Sequence, residues 1–179
     1  MRASRKLVLA NVAGGVVGGL AASAAMNAVQ WVWHAVGDHD DAPKPDPQQQ
    51  KSAPDEGESA TRKVARLAAE KVADKQLTPE QQAKAGGVIH YAFGGAVGGL
   101  YGLACAASEK TGAAQGVPFG AAVWALGDEL ALPALGLTKP VTEFPLSKHA
   151  YTLTAHLVYG YVTETIRRAV VTAVTSDNP

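Results

Sequence analysis

The chain has 179 residues, a formal net charge of +0 and 18% charged residues. That balance excludes the strongly basic footprint of a nucleic-acid binder and offers no global field for an anionic substrate. The one cysteine, Cys105, excludes an intramolecular disulfide and any cysteine-cluster metal site.

Mean hydropathy is −0.01, but it averages long apolar blocks with one polar block. Arg2, Arg5 and Lys6 precede an uncharged run from Leu7 to Gly37. Two readings compete for it. A basic start followed by Ala21-Ala22-Ser23-Ala24-Ala25 fits a secretory signal peptide. The apolar run, however, continues through Trp31, Val32, Trp33, Ala35 and Val36, past any such cleavage site, and a signal core has only about 7 to 15 residues. An uncleaved transmembrane helix is therefore preferred, with Trp31 and Trp33 as an interfacial aromatic belt.

From Asp38 the composition changes to Asp, Pro and Gln, and the part up to Glu58 cannot bury a core. It reads as a mobile linker. Ser59 to Lys75 then places Val64, Leu67, Ala68 and Val72 opposite Arg62, Lys63, Arg66, Glu70 and Lys71. This pattern predicts an amphipathic helix, lying on a membrane surface or on the protein's own helices. Thr78-Pro79-Glu80-Gln81 is a helix start: Thr78 can cap, Pro79 suits the first position and Gln81 completes a capping box.

The second membrane helix follows. Gly86 to Ser108 is 23 residues without a charge, and about 20 suffice to cross a bilayer. It carries Gly94, Gly95, Gly98, Gly99 and Gly102, while Gly14, Gly15, Gly18 and Gly19 lie in the first helix. GGVVGGL at 14–20 and GGAVGGL at 94–100 differ at one position of seven. Such glycines let helix backbones approach closely in lipid, so the two helices are expected to pack together, or each on its counterpart in a homo-oligomer or another membrane protein.

A third helix is expected from about Ala113 to Leu135, uncharged up to Gly127, then meeting Asp128-Glu129 and ending at Pro133, with a loop over Lys139–Lys148 after it. A fourth helix is expected from His149 to Thr172, containing His156 and Glu164 and closing on Arg167-Arg168. Four crossings bring Arg2, Arg5, Lys6, Lys110, Arg167 and Arg168 to one side, which makes both termini cytoplasmic.

Pro133-Ala134-Leu135-Gly136-Leu137-Thr138-Lys139-Pro140, His156-Leu157-Val158 and Glu164-Thr165-Ile166-Arg167-Arg168 resemble the YagU-like family of bacterial inner-membrane proteins. That family reads PxxGLTxP, then HLV followed five residues later by ExIRR. Gly87-Val88-Ile89-His90 matches its GVxH. The similarity covers roughly residues 86 to 172, and the first helix only by general character. The resemblance implies a small multi-pass membrane protein of the bacterial inner membrane and implies no activity.

Charged groups within a membrane segment cost roughly 2.5 to 3.5 kcal/mol at its centre, so each needs a reason. Asp128 and Glu129 read as interfacial carboxylates, wetted or paired with Lys139 or Lys148; an acidic lining for a proton or cation path is the sharper alternative. His156, Gly160 and Glu164 share one helix face, so His156 and Glu164 can look toward one neighbour, His90 or Asp128. Alternatively, Glu164 pairs with Arg167 or Arg168 at helical spacing and His156 donates to a neighbouring helix. His34 and His90 are expected at helix ends, and Asn27 and Gln30 can bridge helices. No phosphate loop, nucleophile triad or HExxH occurs, and no cofactor is implied.

The expected fold is an all-α integral membrane protein with about four transmembrane helices and glycine-zipper-like packing. It divides into an N-terminal transmembrane helix (1–37), a polar linker with the amphipathic helix (38–78), a membrane domain of three helices (79–172) and a tail (173–179). The expected role is non-enzymatic, structural or accessory, with stress-related function as one form of it. The alternative is a small proton- or ion-conducting protein using His156, Asp128 and Glu129.

Overall fold

The computed structural model describes residues 5–36 and 59–176; the expected linker up to Glu58 and the end of the tail lie outside them. Among the described residues the chain is all-helical, without a strand. α1 runs over Arg5–Val36, α2 over Ala60–Ala73 and α3 over Pro79–Ala107. An irregular turn at Glu109–Gly116 leads into α4, Val117–Val123. A π-helical stretch, Trp124–Ala131, continues α4 into α5, Leu132–Ala134. After a loop with one 3₁₀ turn, Val141–Glu143, α6 spans Leu146–Ser176. α1 and α3 are each long and apolar enough to cross a membrane.

Local chemistry explains the boundaries. Thr78 accepts from the Gln81 N–H while the Gln81 side chain accepts from the Thr78 N–H, so the expected capping box forms and α3 starts at Pro79. α2 ends where Asp74 turns left-handed and the Lys75 N–H reaches back to the Ala69 carbonyl. The third helix starts at Val117 rather than Ala113. Ala113 is extended, and Ala114, Gln115 and Gly116 take positive φ, so these residues turn the chain instead of extending the helix. Further on, Pro133 lacks an N–H and crowds the carbonyl four residues earlier. The wider π register just ahead of it, in which the Leu132 N–H donates to the Gly127 carbonyl, relieves that crowding. The fourth helix starts earlier and ends later than expected, at Leu146 and Ser176.

α1 is the centre of the bundle, packed on both α3 and α6. Its paired glycines divide between two neighbours. Gly15 and Gly19 face α3, where an added methyl would strike the carbonyls of Gly98 and Gly94. Gly14 and Gly18 face α6, where it would strike the backbones of Arg167 and Thr163. α3 answers with Gly98 against Gly15 and Gly19, and Gly102 against the Asn11 backbone. These pairings make α1 antiparallel to both α3 and α6.

α4 packs on α6 in the same way, Gly116 and Gly120 meeting Gly160 and the His156 carbonyl. Gly116, at φ +75°, holds a left-handed turn that a side chain would strain, and a methyl there would also press on Glu164 Cβ at 2.7 Å. Tyr101 stacks on Phe119 at 4.0 Å, and the Tyr159 hydroxyl donates to the Gly94 carbonyl at 2.6 Å. α2 lies along the first turns of α3, with Ala65 buried and Arg62 over Gly86. It docks on the protein's own helix.

Apolar side chains point outward. Trp31 is 73% exposed, Leu100 66% and Phe93 60%, and Leu9, Val17, Leu20, Leu126 and Leu130 share that character.

Candidate functional site

Two polar clusters lie at opposite ends of the bundle, separated by the glycine seams.

At the end holding the α1 N-terminus and the α6 C-terminus, Glu164 is completely buried. Its two oxygens accept from Arg167 Nε and Nη2, each at 2.7 Å, in a bidentate fork. Arg168 Nε donates to the same carboxylate, and its Nη2 donates to the Gly112 carbonyl at 2.6 Å. Arg167 Nη1 donates to Asn11 Oδ1. Asn11 Nδ2 in turn donates to the Leu7 carbonyl at 2.9 Å. One carboxylate thus ties α6, the 109–116 turn and α1 together, and Gly112 is small because a methyl there would meet the Glu164 carboxylate at 2.6 Å. With three guanidinium bonds on two oxygens, the group is arranged to hold structure.

At the other end the π-helical stretch presents Asp128 and Glu129 to α6. His149 Nδ1 lies 2.8 Å from Glu129 Oε1, and His149 Nε2 donates to the Val141 carbonyl at 3.1 Å. His156 Nδ1 donates to the Thr152 carbonyl at 2.8 Å, with Asp128 Oδ2 at 3.8 Å. Trp124 Nε1 donates to Thr152 Oγ1 at 3.0 Å, and Lys148 Nζ sits 3.7 Å from the centre of the Phe144 ring. Both carboxylates are partly exposed, at 30% for Asp128 and 24% for Glu129.

Several sequence expectations change here. Glu129 pairs with His149, not with Lys139 or Lys148. Glu164, by contrast, makes the helical-spacing pairs that the sequence offers, with both arginines at i+3 and i+4. His156 and Glu164 do not face one neighbour: eight residues of helix separate them by about 12 Å. Between them Gly160 touches the backbones of Gly116 and Gly120, which closes a direct relay. His90 sits well inside α3, facing α1, where Nε2 makes a long contact of 3.4 Å to the Ser23 carbonyl. Asn27 bridges to α3, donating to the Tyr91 hydroxyl at 3.2 Å. The surroundings of the His34 side chain lie outside the described residues.

Sequence reading missed Asn11 and His149. Asn11 is a lone amide in an uncharged run, and that polarity was the available signal. His149 reads in the sequence only as a helix start. Among the described residues no group of three His, Cys, Asp or Glu side chains is placed to hold a metal ion.

Fold and clusters together define a class: an all-helical protein with two helices long and apolar enough to span a membrane, its helices joined by close backbone contacts. The family model of DUF1440, a protein of unknown function, matches residues 47–165, and the chain belongs to that family. No curated protein and no solved structure matches the chain. The family match takes in α2 through most of α6 and leaves out α1.

Proposed function

We propose that the chain is a multi-pass protein of the bacterial inner membrane, with four helical crossings and a non-enzymatic structural or accessory role. The crossings are α1, α3, the α4–α5 run and α6. The observation that carries this reading is the inversion of the bundle: glycine backbones meet inside while Trp31, Phe93, Leu100 and their neighbours face outward. Water would be a poor solvent for that surface, and lipid a good one. The α4–α5 run is short for a crossing: its eighteen residues span about 27 Å, against about 30 Å of hydrocarbon.

Arg5, Lys6, Lys110, Arg167 and Arg168 stand at one end and the α2 cations, Lys84, Lys139 and Lys148 at the other, so the charge count does not set the orientation; we take the former end, with both termini, as cytoplasmic and leave it to the topology reporter. Lipid is the first partner. A second copy or another membrane protein could not use the glycines that already join α1 to α3 and α6 without displacing those contacts.

The test is alkaline extraction of membranes from cells expressing a C-terminally tagged chain, with a reporter of topology at the tag. A full-length chain in the pellet with a cytoplasmic tag is expected. A released chain, or one shortened at its N-terminus, refutes the reading.

A second reading, proton or cation conduction, rests on Asp128, Glu129 and His156 at the histidine end. The Gly160 contacts and the sealed Glu164 cluster count against a continuous polar path. In vesicles, Asp128→Asn with His156→Gln is expected to leave proton leak at the wild-type level; a clear fall would favour conduction.

A further inference from the structure

His149 is held at both ring nitrogens by groups that accept. The Val141 carbonyl can only accept, so Nε2 carries a proton. Nδ1 faces a Glu129 carboxylate oxygen at 2.8 Å, and a hydrogen bond there requires a second proton between them. The pair therefore holds one proton more than a neutral imidazole and a carboxylate. We propose that His149 is a proton-operated latch that fastens the 135–145 loop and the π-helical stretch to α6 at the histidine end of the bundle.

The latch has three parts: Glu129 on the π-helical stretch, the Val141 carbonyl on the loop, and the imidazole on the first turn of α6. With the proton present the pair is neutral overall and both bonds form. With the proton lost, the bare Nδ1 lone pair would face carboxylate lone pairs, so either the loop bond or the Glu129 bond opens.

The neighbours reinforce the change. The π-helical stretch contributes Asp128 beside Glu129, so loss of the proton leaves two adjacent negative charges. α6 contributes Lys148, Tyr151 and His156; Lys148 leans over Phe144, whose ring edge also meets His149. α3 contributes His90, which acts on Asp128 electrostatically. α1 contributes Trp33, which packs on Tyr151. The loop contributes Glu143, exposed on the Val141 turn. Lys148 is thus the nearby lysine, and it acts electrostatically on Asp128. Imidazole is the side chain whose ordinary protonation change lies nearest neutral pH, which is why a latch can be built on it.

A spin label reports the loop directly. The full chain carries Thr142→Cys in a Cys105→Ala background, is labelled, and is placed in lipid nanodiscs. A second sample carries the label at Gln76→Cys, in the turn between α2 and α3. The expected result is an immobilised Thr142→Cys label at low pH that becomes mobile as pH rises, with no such step at position 76. Glu129→Gln and His149→Gln each abolish the step, whereas His156→Gln keeps it. A wild-type label with the same spectrum across the range overturns the proposal. So does a step that survives in either Glu129→Gln or His149→Gln, is lost only in His156→Gln, or appears equally at position 76.

Discussion

The two ends of this bundle hold similar residue types in opposite conditions. At the arginine end one carboxylate is completely buried and takes hydrogen bonds from two guanidiniums, with Asn11 completing the shell. At the histidine end two carboxylates remain partly exposed and are met by imidazoles, one closely and one at 3.8 Å. A permanent cation on a buried acid makes a fixed tie. A titratable cation on a half-exposed acid makes a tie that depends on pH.

The largest expected effect comes from breaking the fixed end. Glu164→Gln leaves Arg167 buried without its counter-charge, a loss of about 3–5 kcal/mol by analogy with broken buried pairs. Thermal unfolding of the detergent-solubilised protein should show a large fall in midpoint or no folded protein at all. A midpoint near wild type would mean that the arginines are satisfied by water or lipid headgroups instead.

The seam between the ends gives the next effect. Gly98→Ala drives a methyl into the Gly15 carbonyl, and overpacking of this kind costs about 1–3 kcal/mol. Gly87→Ala, where a methyl meets nothing within 4 Å, should instead raise stability by up to about 1 kcal/mol through helix propensity. Equal effects from the two alanines, measured in the same unfolding assay, would contradict the close packing of α1 on α3.

Tyr159→Phe removes the hydroxyl that donates to the Gly94 carbonyl, with an expected loss of about 0.5–1.5 kcal/mol. Asp128→Asn should be the mildest, below about 1 kcal/mol, because the group is partly exposed and stands 3.8 Å from its histidine. An Asp128 effect as large as that of Glu164 would erase the distinction between the ends.

Much of the fold was legible in the sequence because helices announce themselves locally. The uncharged runs, the Thr78 capping box, the amphipathic stretch ending near Asp74 and the arginines three and four residues after Glu164 all act within a turn or two of chain. The turn at 113–116 was not legible, since Ala114 and Gln115 are ordinary residues whose positive φ is imposed by the close approach of Gly116 to Gly160 and Glu164. Likewise, the pairing of Glu129 with His149 joins residues twenty apart, and spacing along the chain carries no sign of it.

By itself, then, the sequence determined an all-helical chain, the starts of α2 and α3, and the glycines that allow close helix contact. Only the tertiary structure decided that α1 stands at the centre, its glycine pairs divided between α3 and α6. It alone decided that His156 and Glu164 belong to separate clusters. The physical reason is range: capping, hydropathy and helical spacing act along the chain. Which face meets which partner depends on backbone approach and hydrogen-bond satisfaction between segments as distant as Asn11 and Arg167.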